Sequence, residues 1–407
     1  MKSILFSWKT IRKPPLLVFL LILFLSCSTS IKKKVSTFSQ RPPGSMAISK
    51  VPQFIVFGFD DNGFSGLEKS GGTGGVKYII DLFSSRFNPP GSGNNRTYDG
   101  AQTHFSMYCA TRFIDGSEKE NPVYVKRAWR EAHHQGNEIG VHTHLHQHGS
   151  RLSVLEWKSE IQTCIDWLTK PFDPGESVSE PDSTKGIGMV SSEIYGFRTP
   201  YLEYNDNAIK AVYNKGFLYD CSIEEGFQAD QDGTNFLWPY QLDEGSQGDR
   251  MIALKNLKKP VSNYPGLWEI PVYAVIVPPD SECAKYGIEP GLRKKMKKAQ
   301  DYFNEDDGKI TGIDWNLWIE FGMSRAEFVA TLKYTLDLRL KGNRCPFTFG
   351  THSDIYASKF QHIPDLQVKE RQLALEEFID NALSIPEVRI VSAKELIDWL
   401  RDPSYLY

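Results

Sequence analysis

Short apolar runs of strand length alternate with stretches of helical length from residue 51 onward, and this alternation restricts the chain to an α/β architecture built on a parallel sheet. The strand-like runs fall at 54–59, 103–108, 138–142, 194–197, 217–222, 267–272, 346–350 and 388–391. Between them the sequence predicts helices, among them 123–135, 154–169, 205–215, 325–340 and 372–383. No composition break, repeat or low-complexity run interrupts residues 51–402, so they read as one domain, large but normal for a barrel with insertions. The stretches 71–95, 173–191 and 278–321 look like inserted loops, long enough to border a binding groove or to be mobile surface.

The N-terminus is of a different kind. Lys2, Lys9, Arg12 and Lys13 precede an apolar run over 16–25, about half the ~20 residues that a membrane-spanning helix requires. A charged start, a short apolar core and small residues before the break make residues 1–26 a secretory signal. Residues 27–50, with Lys32-Lys33-Lys34 and Pro42-Pro43-Gly44, read as a flexible tether. The whole chain has a formal charge of −3, and the leader holds four basic residues and no acidic one, so the mature chain stands at −7. That balance argues against nucleic acid or an anionic membrane surface as partner and is compatible with a neutral polymer. The five cysteines beyond Cys27 show no CxxC spacing, which makes a zinc ribbon unexpected, and their odd number leaves at least one thiol unpaired.

Two stretches carry metal chemistry. Phe54-Ile55-Val56-Phe57 runs into Asp60-Asp61 where a strand gives way to a loop, and 138–141 runs into His142-Thr143-His144-Leu145-His146. On a helical turn, a spacing of four residues points two imidazoles the same way. Two neutral nitrogens and one carboxylate oxygen suit Zn²⁺ with a position left open for water, and the second carboxylate is then free to act as a base. The alternation of histidines also gives His144 and His148 the same spacing, so the residues alone leave the register open. Adjacent Asp residues after a strand are also common in turns and helix caps.

Four ordered motifs resemble those of the polysaccharide deacetylases, carbohydrate esterases with a NodB-type domain. Gly58-Phe59-Asp60-Asp61 is similar to their first motif, and Gly136-Asn137-Glu138-Ile139 running into His142-Thr143 and His146 to their second. Arg198-Thr199-Pro200-Tyr201 resembles the third, and Phe347-Thr348-Phe349-Gly350-Thr351-His352 resembles a late strand ending in His. The resemblance covers roughly 51–402 and favours His142 and His146 over His144 and His148. Segments such as 217–222, 238–243 and 265–271 are similar to the chitin-deacetylase-like branch. Two departures stand out. Gly350 replaces an apolar residue of the acetyl pocket, and the Asp-x-x-x-Trp motif is not plain, which leaves Asp220 and Glu269 as candidates to orient His352. Phe24-Leu25-Ser26-Cys27 resembles a bacterial lipobox, with Cys27 as the lipidated residue.

The resemblance implies a distorted (β/α) barrel of seven strands and zinc-dependent hydrolysis of N-acetyl groups from a polysaccharide containing N-acetylglucosamine, chitin-like or peptidoglycan. Asp61, His142 and His146 would hold Zn²⁺ or another divalent transition metal, Asp60 would be the general base paired with Arg198, and the backbone N–H of Tyr201 would face the oxyanion. His352 would protonate the leaving nitrogen, and Trp268 would form a wall of the acetyl pocket. The expected partner is an acetylated polysaccharide, with no nucleic acid and with contact to membrane only through a lipidated Cys27 at the cell envelope; secretion without lipid is the other possibility. An inactive glycan-binding lipoprotein and a small cyclic amide hydrolase are the alternative functions on such a barrel.

Overall fold

The computed structural model describes residues 38–118, 120–248, 260–363 and 366–407; the expected signal and Cys27 lie outside the described residues. Among these residues no helix is long and apolar enough to cross a membrane. From Phe38 the stretch expected as tether lies against the domain: the Phe38 ring meets Tyr240 at 4.8 Å, Ser39 O accepts from the Trp238 N–H at 2.8 Å, and Met46 is buried.

Seven parallel strands form the path that carries the site. In spatial order they are β11 (Phe347–His352), β1 (Gln53–Asp61), β2 (Ser106–Cys109), β3 (Glu138–Val141), β4 (Gly196–Phe197), β5 (Tyr219–Asp220) and β8 (Trp268–Glu269). β7 (Tyr240–Gln241) adds an antiparallel edge to β8, and β12 (Val388–Ile390) pairs with the first residues of β1. The sheet curls, and a second sheet spans the gap between β8 and β11. It has the order β10 (Lys309–Thr311), β9 (Val272–Ile276), β6 (Glu224–Glu225). The Gly350 N–H donates to Gly312 O at 2.8 Å, which joins the second sheet to β11. The expected distorted (β/α) barrel is the observed fold.

The run expected as one strand at 267–272 is two. Pro271 has no N–H to give a ladder, so the chain leaves the parallel sheet after Glu269 and re-enters as β9 in the other one. Helices begin where local chemistry allows. Ser153 with Glu156, Ser324 with Glu327, and Ser392 with Glu395 form reciprocal capping boxes that start Val154–Thr169, Arg325–Lys341 and Ala393–Arg401. Two of the three expected loops hold regular structure: 71–95 contains the helix Gly75–Ser84, and 278–321 contains the helix Leu292–Ala299 and β10. The third, 173–191, is pinned by a buried ion pair, Lys126 Nζ to Glu176 Oε1 at 2.7 Å.

Alternation along β1 sets the interior. Ile55, Phe57 and Phe59 pack outward with Phe83, Phe105 and Phe378 under the helices, while Phe54 and Val56 face Tyr108, Tyr219 and Cys221. Gly58 and Asp60 continue the inward row. A side chain at Gly58 would come within 2.8 Å of Tyr108 and 2.9 Å of Arg198, so glycine here lets a guanidinium cross the barrel. Asp60-Asp61, His142, Arg198 and His352 all stand at or just beyond the C-terminal ends of parallel strands, where active sites of such barrels are built.

Candidate active site

Neighbouring residues of a strand point to opposite faces, yet Asp60 and Asp61 serve one cavity. The reason is backbone. Asp61 and Asn62 adopt left-handed φ values of 65° and 70°, which end the strand and turn the second carboxylate toward the same rim. Asn62 holds that turn by donating from Nδ2 to Phe59 O at 2.9 Å and Tyr108 O at 3.3 Å. Asp354 fixes the next residues, accepting the Phe64 N–H at 3.0 Å; burial pushes its carboxyl up to about 7.

The histidines do not sit on a helix. Residues 142–149 are loop, with Thr143 at φ 68° and His146 at φ 50°. Thr143 Oγ1 accepts the His146 N–H at 3.2 Å, and the Glu160 carboxylate accepts the N–H groups of His144 at 3.1 Å and Leu145 at 2.8 Å. A tight turn braced by a helix carboxylate thus replaces the helical geometry that the spacing suggested, and it brings the rings of His142 and His146 to 5.0 Å from each other. His142 donates from Nδ1 to Arg198 O at 2.8 Å, which leaves the Nε2 lone pair free. His144 turns away to Thr111 Oγ1 at 3.0 Å, and His148 to Glu203 at 2.9 Å.

Asp61, His142 and His146 offer ligand atoms that lie within 4.8 Å of one another. Asp61 Oδ1 is 3.0 Å from His146 Nε2 and 3.8 Å from His142 Nε2, and this buried oxygen forms a hydrogen bond with neither. Burial, then the neighbouring His146, pushes His142 down to about 3, and burial also lowers His146. Burial alone would raise Asp61, but His146, His352 and His142 hold it below the usual carboxylate range. Two neutral imidazoles and an ionised carboxylate with an orphaned buried oxygen fit a divalent cation.

Asp60 is outside this set. Arg198 Nη1 reaches its Oδ1 at 2.9 Å, and the same guanidinium donates to Gly58 O, Cys221 O and Cys221 Sγ. Burial raises Asp60 to about 6 against the pull of Arg198. Across the cavity His352 donates from Nδ1 to Asp314 Oδ1 at 2.8 Å. Burial would lower this imidazole, but the Asp314 carboxylate carries it up to about 10. Tyr201 stands at the rim at φ 57°, its ring 4.6 Å from His146 and stacked on His148 at 4.2 Å. The cavity has a volume of about 490 Å³ and is lined by Asp60, Asp61, His142, His146, Tyr201 and His352 together with residues from the second sheet.

Three expectations are corrected. Neither Asp220 nor Glu269 orients His352: Asp220 accepts from the N–H and Oγ of Ser222, whose Oγ accepts the Thr199 N–H, and Glu269 accepts the Ile223 N–H. They brace the Arg198 loop instead. The orienting group is Asp314, and Asp314-Trp315-Asn316-Leu317-Trp318 satisfies the Asp-x-x-x-Trp pattern inside a stretch expected to be loop. Trp268 does not wall the cavity; it borders a separate depression with Trp238 and Tyr240. The wall lost at Gly350 is rebuilt from elsewhere: a side chain there would meet Ile313 at 2.7 Å, and Ile313 and Trp315 line the cavity.

No family model matches the chain. It is 22% identical over 362 residues to chitin deacetylase 8 of Bombyx mori, with 89% of this chain and 74% of that protein covered. A solved structure from Mycobacterium smegmatis, provisionally assigned as a polysaccharide deacetylase, superposes with a TM-score of 0.50 at 14% identity, over 89% of this chain and 95% of that one. The second match bears on the fold, and the first extends along most of the chain the likeness carried by the four motifs.

Proposed function

We propose that this chain, similar to the NodB-type polysaccharide deacetylases along most of its length, hydrolyses N-acetyl groups on a polysaccharide that contains N-acetylglucosamine. The observation that carries the reading is the joint placement, around one cavity, of a three-donor set, a buried carboxylate outside that set and a histidine held by a second buried carboxylate. The relative from Bombyx mori, named as a chitin deacetylase, supports the same substrate class.

Zn²⁺ or another divalent transition metal held by Asp61, His142 and His146 would supply Lewis acidity toward an acetyl carbonyl and toward water. Asp60 is the general base: its carboxyl lies near 6, so at neutral pH it is ionised yet still basic enough to take a proton. Arg198 fixes that carboxylate and holds its negative charge. His352 is the general acid. Its Nδ1–H is committed to Asp314, which leaves Nε2 as the atom that delivers a proton to the departing amine. The Tyr201 N–H, at the left-handed turn after Pro200, serves the tetrahedral oxygen. Ile313 and Trp315 give the acetyl methyl an apolar seat. Export and lipid anchoring through Cys27 belong to this proposal on the sequence alone; Cys27→Ser should release the protein from membranes.

The test is metal analysis beside acetate release from chitooligosaccharides, peptidoglycan and acetylated poly-glucosamine. Chelation should abolish release and added Zn²⁺ restore it. His146→Ala should lose both metal and turnover, while His144→Ala and His148→Ala keep the metal. Full turnover after complete metal removal, or no acetate from any acetylated saccharide, would overturn the proposal.

A further inference from the structure

Glu224 lines the same cavity but has no part in the chemistry above. β6 consists of Glu224 and Glu225, and strand alternation sends their side chains opposite ways. Glu225 is buried and satisfied, accepting from the Tyr240 O–H at 2.8 Å and the Gly248 N–H at 2.6 Å. Glu224 is half-buried and borders the cavity. Its partner among the described residues is Thr311 of β10, whose O–H donates to Oε1 across the intervening β9. Two strands of one small sheet therefore hold the carboxylate in place.

The donor inventory of this wall decides what it can bind. An ionised carboxylate only accepts, with about four lone-pair sites, and Thr311 engages one oxygen. Thr311 has spent its single hydroxyl hydrogen on Glu224, so it too presents only lone pairs to the cavity. The adjoining surface consists of Ile313, Trp315 and Asn316, and Asn316 spends an Nδ2 hydrogen on Thr311 O at 3.1 Å. Such a wall is matched by a ligand that brings donors, and it repels a ligand that brings negative charge.

We infer that Glu224, seated on Thr311, determines specificity: it accepts hydroxyl or ammonium groups of the saccharide unit in the cavity and excludes a unit bearing a carboxylate substituent there. This rests on the deacetylase reading and narrows its substrate class to neutral or partly deacetylated amino-sugar polymers at that position.

The experiment compares neutral chitooligosaccharides with carboxymethylated ones as substrates for the wild type, Glu224→Gln and Thr311→Val. In kcat/KM the wild type should prefer the neutral oligomer at least tenfold. Glu224→Gln keeps the shape and the Thr311 bond, and should shrink that preference several-fold, mainly by raising kcat/KM on the carboxymethylated substrate. Thr311→Val should move in the same direction by less. Calorimetric binding of fully deacetylated and carboxymethylated oligomers reads the same preference without turnover. The wild type should bind the cationic oligomer more tightly, and Glu224→Gln should lose most of the difference. An unchanged preference in Glu224→Gln by both readouts overturns this inference. Absence of acetate release with the binding preference intact overturns the proposed activity and leaves the role of Glu224 standing.

Discussion

Asp314→Asn should cripple the enzyme by changing the charge state of His352 while leaving the metal in place. Asp314 is fully buried and accepts three hydrogen bonds, from His352 Nδ1 at 2.8 Å, His352 N at 3.0 Å and Thr351 Oγ1 at 2.6 Å. Burial works against a charged imidazole, so the rise of His352 from 6.5 to about 10 depends chiefly on this carboxylate. On the usual scale such a rise favours the imidazolium by about 5 kcal/mol. Asn keeps the size and one acceptor but removes the charge. His352 should then titrate at or below its ordinary value, and at pH 8 its protonated fraction falls roughly thirtyfold. The assay is acetate release against pH, with bound metal measured at each point. In the wild type the basic limb of kcat/KM should lie near 10; in Asp314→Asn it should move down by about three and a half units or more, with metal content unchanged. Asp220→Asn is the control, since Asp220 braces the Arg198 loop and has no contact with His352. A basic limb unmoved in Asp314→Asn, or moved equally in Asp220→Asn, would refute the assignment of the proton donor.

Asp60→Asn should keep its metal and lose kcat by roughly 10²–10⁴, the usual worth of a general base, whereas Asp61→Asn should lose metal affinity and recover partly with added Zn²⁺; elemental analysis beside turnover separates the two. Lys126→Met leaves Glu176 buried without its cation and should cost about 3–5 kcal/mol in chemical denaturation, with the double replacement Lys126→Met, Glu176→Leu costing less than the sum of the single ones. His104 donates to Glu395 at 2.8 Å, and this hydrogen bond raises its pKa above 6.5. The pairing therefore stabilises fully below the unfolded value, near 6.5, and is lost as pH rises through the higher folded value. Thermal unfolding of the wild type should show this loss across neutral to mildly alkaline pH, and His104→Gln should remove that part of the dependence.

How much of this was legible in the sequence depends on the distance over which each feature is determined. β1, β3 and β11 stand out as short apolar runs, so the strands carrying Asp60, Asp61, His142 and His352 were readable, as were the helices over 154–169 and 325–340. The motif resemblance favoured His142 and His146, but their geometry was not readable: no local pattern announces that Thr143 and His146 take left-handed φ, because Glu160, more than a dozen residues on, supplies the acceptor that holds the turn. The group that orients His352 and the wall opposite Gly350 were misread for a related reason. Both are supplied by the stretch 311–316, some 35 residues before β11 in sequence and held against it by the Gly350 N–H to Gly312 O bond and by the bonds of Thr351 and His352 to Asp314. Gly350 illustrates the logic best. Taken alone it looks like a missing pocket wall, yet its lack of a side chain is the space that Ile313 occupies, and any Cβ there would clash with that side chain. The same link helps place Asp314 behind His352, while the pairing of β10 and β6 on β9 sets Thr311 beside Glu224. Under the proposed function, a segment that reads as an insertion would therefore carry three separate duties, to the acid, to the acetyl seat and to the wall that faces the sugar. Shortening it should impair all three together rather than merely trim a loop.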